Sequence, residues 1–71
     1  MPMTQININV NNQPMSVISP ISLSELIALK QLKDEGTAVA KNAAIISKNE
    51  WPTTYLSNND TVDIFTLVAG G

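Results

Sequence analysis

The chain has 71 residues, 44% of them hydrophobic, and a net charge of −2, which places it near the lower size limit for a self-sufficient apolar core and outside the disordered class. Neither Cys nor His occurs, so disulfides, thiolate-held metals, His-based catalysis and a histidine pH switch are excluded. The four lysines, Lys30, Lys33, Lys41 and Lys48, are dispersed rather than clustered, which argues against nucleic acid as a partner.

Thr4 to Val10 alternates strictly, with Ile6, Ile8 and Val10 on one face and Gln5, Asn7 and Asn9 on the other. Period two with one polar face predicts a half-buried strand. Asn11-Asn12-Gln13-Pro14 supplies a turn, since Asn tolerates left-handed backbone, and Met15 to Ile18 resumes the extended pattern as the second arm of a hairpin.

Ser19-Pro20 breaks the strand, and Ser22-Leu23-Ser24-Glu25 has the spacing of a capping box. A helix is expected from Leu23 to about Lys33, with Leu23, Leu26 and Ile27 as its buried stripe and Gly36 as its stop. Lys30 falls inside that stripe, so either its stem snorkels or the helix loosens there.

Thr37 to Lys41 and Ala44 to Ile46 read as two short strands around Asn42-Ala43. Ser47 to Leu56 reads as an irregular connection with a helical turn, and Trp51 as a packing residue within it. Asn58-Asn59-Asp60 is a turn, and Thr61 to Leu67, rich in β-branched residues, is the last strand. The order β-β-α-β-β-β predicts an α+β fold: a mixed sheet packed on one main helix. The first and last strands are expected side by side as its parallel centre. Residues 1–67 form the expected domain and 68–71 an expected flexible C-terminal tail.

The inventory of chemical groups is short. Triads and zinc clusters need residues the chain lacks, and no glycine-rich phosphate loop is present. Glu25 reads as a helix cap, Asp60 as a turn former and the other carboxylates as solvated, so no catalytic site, metal site or bound cofactor is expected. The remaining feature is the terminal run Phe65-Thr66-Leu67-Val68-Ala69-Gly70-Gly71. Two terminal glycines are costly to order and cannot pack, which fits a frayed end and fits a substrate arm equally well. As an arm, residues 68–71 could extend about 13 Å at about 3.3 Å each into a narrow active site of another protein. A terminal carboxylate is a poor electrophile until its attack on the α-phosphate of ATP turns it into an acyl-adenylate.

Three stretches carry a resemblance to a known family. They are Ser22-x-x-Glu25-Leu26-Ile27; Ala38-Val39-Ala40-Lys41-Asn42 through Ile45-Ile46 to Glu50-Trp51; and Asn59-Asp60 through Phe65 to Val68-Ala69-Gly70-Gly71. Together they span about two-thirds of the chain, and the pattern resembles the ThiS family, the sulfur carriers of thiamine (thiazole) biosynthesis. Ala43 and Asn59 stand where that family commonly has turn glycines, and Lys41 where it commonly has an apolar residue, so the local hairpin geometry is the point to check.

The resemblance implies a ubiquitin-like β-grasp fold and a protein cosubstrate rather than an enzyme. It further implies that a ThiF-like adenylyltransferase, using ATP and magnesium, activates the Gly71 carboxylate. A cysteine desulfurase or other persulfide donor then supplies sulfur, and a ThiG-like thiazole synthase takes it from the Gly71 thiocarboxylate. Gly71 is thus the chemical residue, Gly70 and Ala69 the threading arm, and Leu67 and Phe65 the outward-facing partner contacts. The rival readings are the small subunit of molybdopterin synthase and a ubiquitin-like protein modifier. No basic stretch followed by an apolar run opens the sequence and no apolar run is long enough to span a bilayer, so the expected location is the cytoplasm or an organellar equivalent, with no membrane contact.

Overall fold

The structure, a computed structural model, describes residues 3–33 and 35–66. Two strands, β1 (Thr4–Val10) and β2 (Gln13–Ser19), precede a helix, α1 (Leu23–Leu29). Three more follow: β3 (Thr37–Lys41), β4 (Ala44–Ile46) and, after a 3₁₀ segment at Lys48–Thr53, β5 (Thr61–Thr66). They form one mixed sheet in the order β2-β1-β5-β3-β4. β1 and β5 pair in parallel at its centre, and the other pairs are antiparallel. This is the expected β-grasp arrangement.

Both hairpins turn on two left-handed residues, the geometry whose twist matches that of the flanking strands. Asn11 (φ 51°) and Asn12 (φ 67°) join β1 to β2, and Asn42 (φ 50°) and Ala43 (φ 71°) join β3 to β4. The β3–β4 hairpin therefore keeps a tight turn with alanine in place of glycine, at a steric cost of about 1–2 kcal/mol. Asn59 (φ 73°) likewise takes a left-handed conformation in the turn before β5.

The capping box forms as the spacing predicts. Glu25 N–H donates to Ser22 Oγ (3.1 Å) and Ser22 N–H donates to Glu25 Oε1 (2.9 Å). The far end of α1 differs from expectation: it stops at Leu29, four residues before Lys33 and well short of Gly36. Gln31 takes the left-handed position (φ 60°), with Gln31 N–H donating to Ala28 O and Leu32 N–H to Ile27 O, both 3.0 Å. These two bonds make a Schellman ending, which satisfies the last carbonyls without glycine. The cause lies in the stripe. Leu23, Leu26 and Ile27 are buried, but the next positions on that face are Lys30 and Gln31, so a further turn would bury nothing apolar.

One face of the sheet packs on α1 and the 3₁₀ segment. Ile6, Ile8, Val10, Leu26, Ile27 and Val62 lie in a single core, and Ile64 packs against it half-buried. Trp51 anchors the 3₁₀ segment: its ring is buried and its Nε1–H donates to Ile46 O at 3.1 Å, so the indole's one polar group is satisfied. Leu23 N–H donates to Thr54 O (2.9 Å) and Leu56 N–H to Ile21 O (3.0 Å), tying this connection to the start of α1.

Candidate functional site

The site to consider is the end of β5, because that strand leads into residues 67–71. The chain fixes it from both ends. Before β5, Asn58 Oδ1 accepts from Asn7 N–H (2.8 Å) and Asn59 N–H donates to Asn7 O (2.7 Å), which pins the turn to β1. Asp60 closes that turn by accepting from Ser57 N–H (2.7 Å), and Asn42 Oδ1 accepts from Thr61 N–H (2.9 Å). Farther along, Asn11 holds the strand twice: its N–H donates to Val62 O (2.9 Å) and its Oδ1 accepts from Ile64 N–H (2.7 Å).

Alternation then sorts the side chains. Val62 is fully buried and Ile64 half-buried toward the helix, so Thr61, Asp63 and Phe65 face the opposite, open side of the sheet. Phe65 is 48% exposed and sits opposite Ala38 of β3. Asp63 sits opposite Ala40, whose other partner is Ile45 of β4, 70% exposed. Cross-strand partners share a face, so Phe65, Ala38, Ala40 and Ile45 make one apolar area with Asp63 beside it. Ala40 is buried yet stands apart from the core cluster, as a residue of the open face should. The other half of this face is uncharged: Gln5, Asn7, Asn9 and Ser16 are polar, with the exposed Ile18 opposite Gln5 and Pro14 opposite Asn9.

Of the residues expected to act, Phe65 is where alternation puts it, on the open face, with Trp51 buried elsewhere in the core. Leu67, Ala69, Gly70 and Gly71 lie outside the described residues, as does the tail at 68–71. Lys41, opposite Val62, reaches past the core rim so that its Nζ donates to Tyr55 O (3.3 Å) and lies 4.0 Å from Asp60 Oδ2. Its stem thus takes an apolar residue's place while its charge stays at the surface. Sequence reasoning missed two contributors. Asn11 reads from sequence only as a turn residue, and Ile45 only as part of a strand, although period-two alternation from Ile46 places Ile45 outward. Among the described residues there is no pocket, no group of three or more acidic side chains placed to hold a metal ion, and no helix long and apolar enough to cross a membrane.

Comparison with known proteins places this geometry in a family. The crystal structure of the thiamine biosynthesis protein ThiS from Geobacter metallireducens superposes with a TM-score of 0.80 at 26% identity, over 93% of this chain and 100% of that one. A solution structure of a thiamine biosynthesis protein from the same organism shares the fold, with a TM-score of 0.78 at 22% identity, over 93% of this chain and 88% of that one. Among sequence relatives, the uncharacterised protein ycf40 of Porphyra purpurea is 30% identical over 66 residues, 93% of each chain. The ycf40 protein of Pyropia yezoensis is 31% identical over 68 residues, 96% of each chain. The family model for ThiS matches residues 6–71, which includes the terminal Gly-Gly. The chain belongs to the ThiS family.

Proposed function

We propose that this chain is a sulfur carrier of thiamine biosynthesis that works through Gly71. Family membership and the fold support a ThiS-like carrier, and the observation that carries the finer reading is the placement of β5. This inner strand is bonded on both sides as far as Ile64 and leads directly toward Val68-Ala69-Gly70-Gly71. A rigid base that leads through Leu67 and Val68 to Ala69-Gly70-Gly71, which have little or no side chain, suits a substrate arm that enters another protein's active site.

In this reading a ThiF-like enzyme binds ATP and magnesium, and the Gly71 carboxylate attacks the α-phosphate. Pyrophosphate leaves and an acyl-adenylate forms. A persulfide from a desulfurase or similar donor displaces AMP, giving an acyl disulfide, and a second thiol cleaves the S–S bond to leave the thiocarboxylate. A ThiG-like synthase then accepts the sulfur. Gly70, Ala69 and Leu67 line the arm, Phe65 anchors its base on the partner, and the chain itself supplies no acid, base or cofactor. Adenylation needs ATP, so the reading calls for the cytosol or an organellar equivalent.

The test is ATP–pyrophosphate exchange catalysed by a ThiF-type enzyme. Exchange should require the full chain and vanish with a chain lacking Gly71, whose carboxylate stops about 3.5 Å short. Equal exchange with both chains would refute the assignment of Gly71.

A further inference from the structure

We propose that the free edge of β5 at Ile64–Thr66 is a strand-addition site, along which the activating enzyme lays an extended segment of its own backbone. This rests on the activation reading above and deepens it by naming the surface that aligns the tail.

The edge follows from the parity of the ladder. Asn42 N–H donates to Thr61 O (2.7 Å), so Thr61 and, by alternation, Asp63 and Phe65 turn their backbone groups toward β3. Ile64 and Thr66 turn theirs the other way, toward β1. There Asn9 N–H donates to Asp60 O and Asn11 N–H to Val62 O, both 2.9 Å, the repeat of a parallel ladder. The β1 pairing ends at Val10 opposite Val62, and the chain folds back at Asn11-Asn12. Asn11 takes one more place with its side chain, whose Oδ1 accepts from Ile64 N–H where a strand would offer a carbonyl. In the next place, Ile64 C=O and Thr66 N–H have no strand beside them among the described residues. One residue of an added strand can donate to the first and accept from the second.

This edge also lacks the proline and charge with which natural sheets guard free edges. β2 carries Pro14, whereas Ile64-Phe65-Thr66, short as it is, is uncharged, proline-free and strand-favouring. The neighbouring turn, Asn11-Asn12-Gln13, is uncharged as well. What distinguishes an enzyme segment from a second copy as occupant is continuity: the edge runs into residues 67–71, which must enter the enzyme. A segment paired here would set the line along which Gly71 advances.

The experiment is amide hydrogen exchange on the full chain, free and bound to a ThiF-type enzyme with ATP and magnesium, alongside binding of Thr66→Pro and Thr66→Val. Thr66→Pro removes the outward N–H without touching a bond to β3; Thr66→Val keeps it. We expect the Thr66 amide to exchange at least about tenfold more slowly in the complex, Thr66→Pro to bind about tenfold more weakly, and Thr66→Val to bind like the wild type. If Thr66→Pro lowers the melting temperature, the wild-type exchange result decides. A loaded wild-type chain whose Thr66 amide stays unprotected in the complex overturns strand addition and leaves activation standing. A chain that neither binds nor exchanges pyrophosphate overturns both. Protection that instead tracks chain concentration, with a dimer by light scattering, assigns the edge to a second copy and overturns the enzyme as occupant.

Discussion

The Asn11 side chain accepts a hydrogen bond from the Ile64 amide at 2.7 Å, across 53 residues of sequence, and so carries the β1–β5 ladder beyond the point where β1 ends. Two properties of Asn11 are combined there: a left-handed backbone, which makes the turn, and a carboxamide, which holds the base of the terminal segment. Asn11→Gly separates them, because glycine keeps the turn and loses the acceptor. It should cost about 0.5–1.5 kcal/mol in urea unfolding and speed exchange at the Ile64 amide. Unchanged Ile64 exchange would show that the bond does not hold the strand.

The core should be unforgiving, since packing alone sustains so small a chain. Ile8 and Leu26 are each 1% exposed or less and sit on opposite sides of the core, on the sheet and the helix. Ile8→Ala or Leu26→Ala should each cost about 2–5 kcal/mol by urea unfolding. Losses below about half a kcal/mol at both sites would contradict the core assignment.

Trp51 joins the 3₁₀ segment to β4 through its bond to Ile46 O at 3.1 Å. Trp51→Phe keeps an aromatic ring and deletes the donor, so about 1–3 kcal/mol should be lost, with faster amide exchange in β4. Equal stability of the two chains would mean that the indole N–H contributes nothing.

The parts of the fold that were legible in the sequence are those set by short-range patterns. Ile6, Ile8 and Val10 announce β1 by alternation, and Ser22 with Glu25 announces the start of α1. The end of α1 comes earlier than the sequence suggests, because Lys30, Gln31 and Lys33 are good helix formers and Gln31 is an unexpected left-handed residue. The loss of apolar residues at 30 and 31 was the available signal, and packing overrode propensity. Asn11 was beyond reach for a different reason. Its acceptor role depends on a strand 53 positions away, and only the sheet order brings the two together. At the candidate site, alternation from Val62 placed Phe65 outward, whereas the part played by Leu67 to Gly71 rests on resemblance and family.

The open face should serve recognition rather than stability. Phe65 and Ile45 are both exposed and are linked through Ala38 and Ala40. Phe65→Ala should change unfolding free energy by no more than about 1 kcal/mol while weakening binding to a ThiF-type enzyme by about 1–2 kcal/mol, the range of an aromatic anchor. Calorimetric titration measures the second quantity. A variant that binds normally would remove Phe65 from the interface.

Sulfur should be carried at the Gly71 carboxyl group, in place of one of its oxygens. Intact-mass spectrometry with C-terminal fragmentation tests it, after incubation of the chain with a ThiF-type enzyme, ATP, magnesium and a persulfide donor. The expected result is a mass gain equal to exchanging one oxygen for one sulfur, confined to the fragment ending at Gly71 and absent when Gly71 is deleted. An unchanged mass, or the appearance of this chain joined to lysines of other proteins in place of that gain, would contradict it.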